Sequence, residues 1–520
     1  MSFGGVGSEP CMVNRAENIE KIGTSELVPS ETQKRVTDGA EHVVEKGHPY
    51  IALGTVTGVV LLMNYVLSMV IPAIPTIERY FSTTPTNVAW ITSGFVLVGA
   101  ASATLLGKLG DVYGKKRLFL MSLLIFSLSV GLAGFSQSMN VLVALMAVGG
   151  MGFALFPLGL AIITDVFSKE RLATAQGIIA GAAGISSAAG LVLGSLVVQD
   201  FGWRYAFYTT IPLSAAMFVL SAMFLKSTSV RIKMKMDYTG ALMLIGGIAL
   251  SLLYLNEGSS LGWFSYKSAV FLIVGLLLIV GFFLFERSRA NPLIKLRLLR
   301  IRNVLAANFV TIMSGLANFL LFYAFVYYAE YPRPFGLGLN VLSTGIALAP
   351  ATVAMIIFGP ISGRIMTRVG PKPILIMGSL ILAIGFSLLM VDRSSTIALS
   401  TWAAVSMAGV VSLLVPLINM ISVSLPKESV SAGLGFNIML KSVGQAIGPI
   451  LATTVMTTYS IPVTKEINGR MVVIAHLASS TGFNIIFGIG VSVSILIAII
   501  SLILVKNYAF SGGKSKREDS

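Results

Sequence analysis

Cysteine is almost absent: Cys11 is the only one in 520 residues, so no intrachain disulfide can form. Histidine is nearly as scarce. His42, His48 and His476 are the three, and each lies in a polar segment. Without His or Cys clusters there is no nucleophile–base arrangement and no set of residues at metal-ligand spacing. Neither an enzyme nor a metal site is therefore expected, and no cofactor is implied. Charge is also short, at 11% of residues, where a soluble domain carries about 25%. The net charge of +15 would suit nucleic acid if the cations formed a patch. They are instead scattered over short intervals between apolar runs, so nucleic acid is not an expected partner. Residues 1–49 lack the apolar core of a signal peptide, so insertion is expected to begin at the first long apolar run.

What the chain has is apolar length. Hydrophobic residues make up 55%, and the mean hydropathy is +0.86. That composition suits an all-α polytopic protein in a lipid bilayer. Apolar runs place fourteen spans at about 51–75, 86–106, 118–136, 140–164, 172–198, 203–225, 237–256, 268–286, 304–328, 340–362, 373–391, 396–425, 431–457 and 480–506. An even number puts both termini on one side. Of the 37 Lys and Arg, 29 fall on the side of the termini, 7 on the other, and Lys441 within a span. Cytoplasmic loops carry the excess of Lys and Arg, so both termini are expected in the cytoplasm of a cell-membrane protein.

The chain is organised around Gly107-Lys108-Leu109-Gly110-Asp111-Val112-Tyr113-Gly114-Lys115-Lys116-Arg117, between the second and third spans. It reads as a tight basic loop, with Asp111 the one carboxylate among four cations and Gly114 suited to a turn of positive φ. Gly363-Arg364-Ile365-Met366-Thr367-Arg368-Val369-Gly370-Pro371-Lys372 repeats it without gaps, Gly107 falling on Gly363 and Gly114 on Gly370. The pattern resembles the G-x-L-x-D-R-x-G-R-K loop of the major facilitator superfamily. It matches at Gly107, Leu109, Asp111, Gly114, Lys115 and Lys116, and departs at Val112; in the second copy Arg368 is present and Thr367 replaces the Asp. Duplicated halves are how such transporters are built. Spans 9–14 then repeat spans 1–6, and spans 7 and 8 are an insert.

Fourteen spans resemble that superfamily's multidrug:proton antiporter branch. So do Gly202-Trp203-Arg204-Tyr205-Ala206-Phe207 with Ile211-Pro212, and Asn291-Pro292-Leu293-Ile294. The resemblance implies a major facilitator fold of two six-helix bundles plus two inserted central spans. The expected units are an N-terminal tail (1–49), a first bundle (50–227), the insert with its basic loop (228–302), a second bundle (303–507) and a C-terminal tail (508–520). The tail, with Lys514, Lys516 and Arg517, is expected to be solvated.

The same resemblance implies sites. The gating loop comprises Gly107, Asp111, Gly114, Lys115, Lys116, Gly363, Arg368 and Gly370. Helix packing and flexing fall to Gly190 and Gly194 in span 5 and to Gly444, Gly448 and Pro449 in span 13; Leu191 stands where exporters carry a Pro. Spans 1, 4, 9 and 12 would line a central substrate cavity with Asn64, Ser68, Thr311, Asn318, Phe322, Tyr323 and Asn419. Lys441 joins them from span 13, because an unpaired ammonium at membrane depth costs at least about 2.5–3.5 kcal/mol and needs a reason. The branch's usual span 1 Asp aligns with Val66 and its span 4 Arg with Met146.

The expected activity is secondary active transport by alternating access: proton-coupled export of small amphipathic or hydrophobic compounds, by a monomer. Two other readings stay open. One is a uniporter or importer of organic anions, which Lys441 and the missing span 1 carboxylate favour. The other is a transport-inactive receptor or scaffold. Orientation is checked through Cys11. An impermeant thiol reagent added to intact cells is expected to leave it unlabelled until the membrane is broken; labelling of intact cells would overturn the orientation.

Overall fold

In lipid the backbone has no water to bond, so an apolar chain crosses as helices or as a closed barrel. The computed structural model describes residues 49–167, 169–226, 238–288, 296–467, 470–511 and 514–517, and it is helical through the apolar runs. The first bundle holds Pro49–Phe81 (span 1), Pro85–Tyr113 (2), Lys115–Ala133 (3), Met139–Val166 (4), Lys169–Phe201 (5) and Trp203–Phe224 (6). The insert is Tyr238–Leu261 (7) and Tyr266–Ser288 (8). The second bundle holds Arg302–Glu330 (9), Val341–Val369 (10), Pro371–Val391 (11), Thr396–Ser424 (12), Lys427–Thr458 (13) and Ser480–Leu504 (14). Thirteen of these are long and apolar enough to cross a bilayer; the apolar part of span 7 is the shorter Leu242–Leu255.

Local chemistry sets the helix ends. Spans 2, 4, 10, 12 and 14 all begin on the side away from the basic loops. Their first turns are capped by the side chains of Thr84, Ser138, Asn340, Ser395 and Ser479, each accepting from a backbone N–H three residues on. On the basic side the turns after spans 2 and 10 are single glycines, Gly114 at φ 101° and Gly370 at φ 84°, a region closed to most side chains. The repeat seen in the sequence is thus a repeat of turn geometry.

Glycine also sets how helices meet. Added Cβ atoms at Gly190 and Gly194 of span 5 would strike the backbone of span 1 at Tyr65 and Met69. Added atoms at Gly444 and Gly448 of span 13 would strike span 9 at Ile312 and Leu316, and one at Gly315 would strike the Lys441 carbonyl. Spans 5 and 13 therefore pack on spans 1 and 9 in the same way, one pair in each bundle. The bundles meet where span 2 faces span 13 and span 5 faces span 10. Spans 7 and 8 join that first seam: Leu244 and Phe282 cluster with Ala100 of span 2 and with Phe436 and Met439 of span 13. Span 9 is central, with 83% of its most apolar window buried, against 17% for span 8, which turns its side chains outward.

The structure corrects one expectation and adds three features. The stretch 107–117 is not a loop: the helix of span 2 continues through Tyr113, and only Gly114 breaks it, its N–H bonding the Gly110 carbonyl. Span 4 contains a 3-10 turn at Gly150–Ala154, where Gly150 lets its backbone approach the Phe95 carbonyl of span 2. Between spans 13 and 14 lies an unforeseen hairpin, β1 (Ser460–Ile467) with β2 (Arg470–Ala478), whose register shifts between Val463 and Thr464. The end of the chain also forms a hairpin, β3 (Tyr508–Ser511) with β4 (Lys514–Arg517). Tyr508 there is 5% exposed, and its hydroxyl donates to Asn419 of span 12.

Gly444→Leu is expected to force spans 9 and 13 apart, costing about 1–3 kcal/mol as overpacking does. Gly107→Leu, where nothing lies within 4 Å of an added Cβ, should be tolerated. Apparent melting temperatures of the two purified variants check the difference.

Candidate functional site

Polar groups buried between the bundles gather at the end away from the basic loops. Span 1 ends on Glu78 and Arg79, and span 9 on Tyr327 and Glu330. The Tyr327 hydroxyl donates to Glu78 Oε2 at 2.5 Å. Arg79 Nη2 lies 3.5 Å from Glu330 Oε2, with the Arg side chain 66% exposed and the Glu side chain only 2%. One turn earlier in span 9, Tyr323 and Thr92 of span 2 share a hydrogen bond of 2.5 Å. Ser93 Oγ donates to the Ala446 carbonyl at 2.8 Å, and Thr86 bonds Thr457. Leu342 N–H donates to Gln199 Oε1. The described hydrogen bonds between the two bundles thus lie in this half of the membrane. Just beyond span 9, burial and then the charge on Glu78 push the Tyr331 phenol above its ordinary value, so it stays protonated.

A second group lies nearer the basic side. Asn437 of span 13 donates to Asn308 Oδ1 at 3.0 Å and to Thr311 Oγ1 at 2.8 Å, both on span 9. Lys441 follows one turn later. It is partly exposed, and among the described residues its ammonium makes no hydrogen bond or ion pair. The Asn318 amide points to Met407 Sδ of span 12 at 3.3 Å. Along span 9, Thr311 thus meets span 13, Asn318 span 12 and Tyr323 span 2, while the Lys441 carbonyl lies against Gly315. Phe322 is buried edge-on against Phe319. The Asn64 amide bonds the Val60 carbonyl of its own helix, Ser68 is buried against Gly190, and Asn419 accepts from Tyr508 near the basic side.

At the basic side the loop cations fasten helices within the first bundle. Lys115 Nζ lies 2.6 Å from Asp165 Oδ2 at the end of span 4, and Lys116 Nζ donates to the Ala222 carbonyl at the end of span 6. A cation suits the carbonyl end of a helix. The side chain of Asp111 lies outside the described residues. In the second copy Asn507 takes the fastening role: its amide donates to the Val369 carbonyl, and its Oδ1 accepts from Lys372 N–H beside Gly370. Gly363 and Arg368 lie on the last turns of span 10.

Sequence reasoning did not single out Glu78, Tyr327 or Asn437. An adjacent acid and base closing one span, and Tyr-Tyr-x-Glu closing another, were the available signals. Among the described residues no group of three or more His, Cys, Asp or Glu could hold a metal ion.

The sequence profile described as Major Facilitator Superfamily matches residues 56–237, 233–449 and 307–519. The tetracenomycin C resistance and export protein of Streptomyces glaucescens is 27% identical over 418 residues, 79% of this chain and 77% of its own. Multidrug resistance protein 3 of Bacillus subtilis is 28% identical over 379 residues, 71% of this chain and 72% of its own. In fold, the chain is similar to the nucleoside transporter NupG, with a TM-score of 0.62 at 11% identity over 88% of this chain and 100% of that one. A peptide transporter POT crystallised with sulfate gives 0.65 at 14% identity, over 87% and 94%. With two helix bundles, the duplicated Gly114 and Gly370 turns and a matching profile along nearly all its spans, the chain belongs to the major facilitator superfamily, as a multi-pass membrane transporter.

Proposed function

We propose that the chain exports small amphipathic or hydrophobic compounds, coupled to proton entry, by alternating access. The relatives' names support export of drug-like compounds. The observation that carries the mechanism is that the described hydrogen bonds between the bundles lie toward one end of the membrane. With the basic side in the cytoplasm, this is an arrangement shut to the outside, and rocking of the bundles about the central spans would reverse it. The glycine contacts of Gly190, Gly194, Gly444 and Gly448 keep each bundle tight during that motion, and Pro449 permits span 13 to bend. The turns at Gly114 and Gly370, with Gly107, Asp111, Lys115, Lys116, Gly363 and Arg368 around them, act as the cytoplasmic gate. Substrate sits among Asn64, Ser68, Thr311, Asn318, Phe322, Tyr323 and Asn419, as the fold's central cavity would have it, and a monomer suffices.

Lys441 is the one observation that favours a second reading. A lysine in mid-span whose ammonium has no described partner suits the anionic part of an amphipathic substrate, and equally an importer or uniporter of organic anions. Flux of dyes and of organic anions in proteoliposomes, with and without a pH gradient, separates the two. Export driven by the gradient supports the first, and gradient-independent anion flux the second. Lys441→Met is expected to insert normally and to weaken substrate affinity by at least about fivefold, the low end of a site's coupling energy. Wild-type affinity in that variant would leave Lys441 with no part in binding.

A further inference from the structure

We infer that Glu78 and Glu330, one from each bundle, form a proton-binding site at the outer end of the interface, and that the outer gate closes by taking up one proton there. This rests on the proton-coupled reading above. It moves the titrating group to a place where the sequence pattern of the branch does not put one.

The geometry is specific. Glu330 lines a cavity of about 630 Å³ that also receives Glu78, Arg79, Tyr331 and His476. Its side chain is only 2% exposed. Oε2 faces Arg79 at 3.5 Å, and Oε1 is buried with no hydrogen-bond partner among the described residues. Glu78 has its own donor in Tyr327. Arg79 is mostly exposed and also donates to Thr76, so its charge is shared with solvent and with a neighbour. The titratable or charged groups around the site are Glu78 and Arg79 on span 1, Tyr327, Glu330 and Tyr331 at the end of span 9, and His476 on β2. Thr86 of span 2 and Thr457 of span 13 are neutral and bond each other.

Two carboxylates therefore face one guanidinium. With both ionised, the closed gate holds one negative charge too many, and part of it sits on an oxygen that no donor reaches. Burying a charge without a partner costs several kcal/mol. One proton from the outer solution removes the excess and breaks no other bond. When the bundles part, water reaches Glu330 and the proton is no longer required. Protons thus favour the closed gate over the open one, and acid outside shifts the population toward closure.

The test reads the gate directly. Met456 lines the cavity and is 1% exposed, so Met456→Cys in a Cys11→Ser background reports opening through its labelling by an impermeant maleimide from outside. Labelling is expected to slow at least about fivefold as the outer solution goes from mildly alkaline to mildly acidic. Glu330→Gln, which cannot ionise, should label slowly at either pH and lose flux driven by the pH gradient. Glu78→Gln is a second variant should the first fail to reach the membrane. Glu330→Asp should keep the response, and His476→Gln should leave it unchanged. Labelling that ignores pH in the parent would overturn the inference. So would a pH response retained in both Gln variants, a response that vanishes with His476 instead, or one that follows sodium at fixed pH. The parent's flux in proteoliposomes separates the two readings. If no flux follows the pH gradient, the proton-coupled function falls. If flux follows it equally in parent and Gln variants, only the Glu78–Glu330 site falls.

Discussion

The constraint on which this structure depends is the absence of a hydrophobic force between helices that already lie in lipid. Helices there attract through contact, and contact is greatest where the backbones can touch. Gly444 and Gly448 let span 13 lie on span 9, and Gly190 and Gly194 let span 5 lie on span 1. Each bundle thereby gains a closely packed spine of two helices. Gly315 completes the second spine from the span 9 side, against the carbonyl of Lys441. The lone cation of the apolar region is consequently held by its backbone at the tightest crossing in the bundle, while its ammonium stays free of described partners.

Between the bundles the surface is chemically graded. At the end away from the basic loops it carries hydroxyls, an amide and paired charges: Thr92 with Tyr323, Ser93 with Ala446, Glu78 with Tyr327. Toward the basic side the described contacts across the span 2–span 13 seam are apolar, Ala100 with Phe436 and Met439, with span 7 and span 8 pressed against them. Hydrogen bonds fix geometry and are lost together when two surfaces part, whereas apolar contacts slide at less cost. The inserted spans therefore widen the seam on the side where its contacts are least directional.

Electrostatics follows the same partition. Charges are kept to helix ends, where partners or water can reach them. Lys115 finds Asp165, Lys116 finds the carbonyl end of span 6, and Arg393 is held by the Leu389 carbonyl, by Ser480 and over the ring of Tyr328. Burial pushes the Arg393 guanidinium below its ordinary value, yet these acceptors let it stay at the mouth of span 14. Among the described residues Lys441, within span 13, departs from this, as does Glu330, buried with one oxygen unmatched and an exposed Arg nearby.

The sequence by itself determined the number and order of the spans, because a membrane-crossing helix is a local property of about 20 consecutive residues. It also determined the duplication, and the two turn glycines whose positive φ the structure bears out. It misjudged what lies between spans. Residues 107–113 read as loop from their charge but continue a helix, because helical hydrogen bonds do not depend on the side chain being apolar. Nor did the sequence reveal that Tyr508, just beyond span 14, is buried against span 12. Only the tertiary structure decided which polar residues meet. Glu78 lies 249 positions from Tyr327, Asn437 126 from Thr311, and Thr92 231 from Tyr323. No periodicity in the chain encodes such pairings. They arise when two bundles, each locally specified, close on one another, and the groups left in the seam must then satisfy whatever faces them.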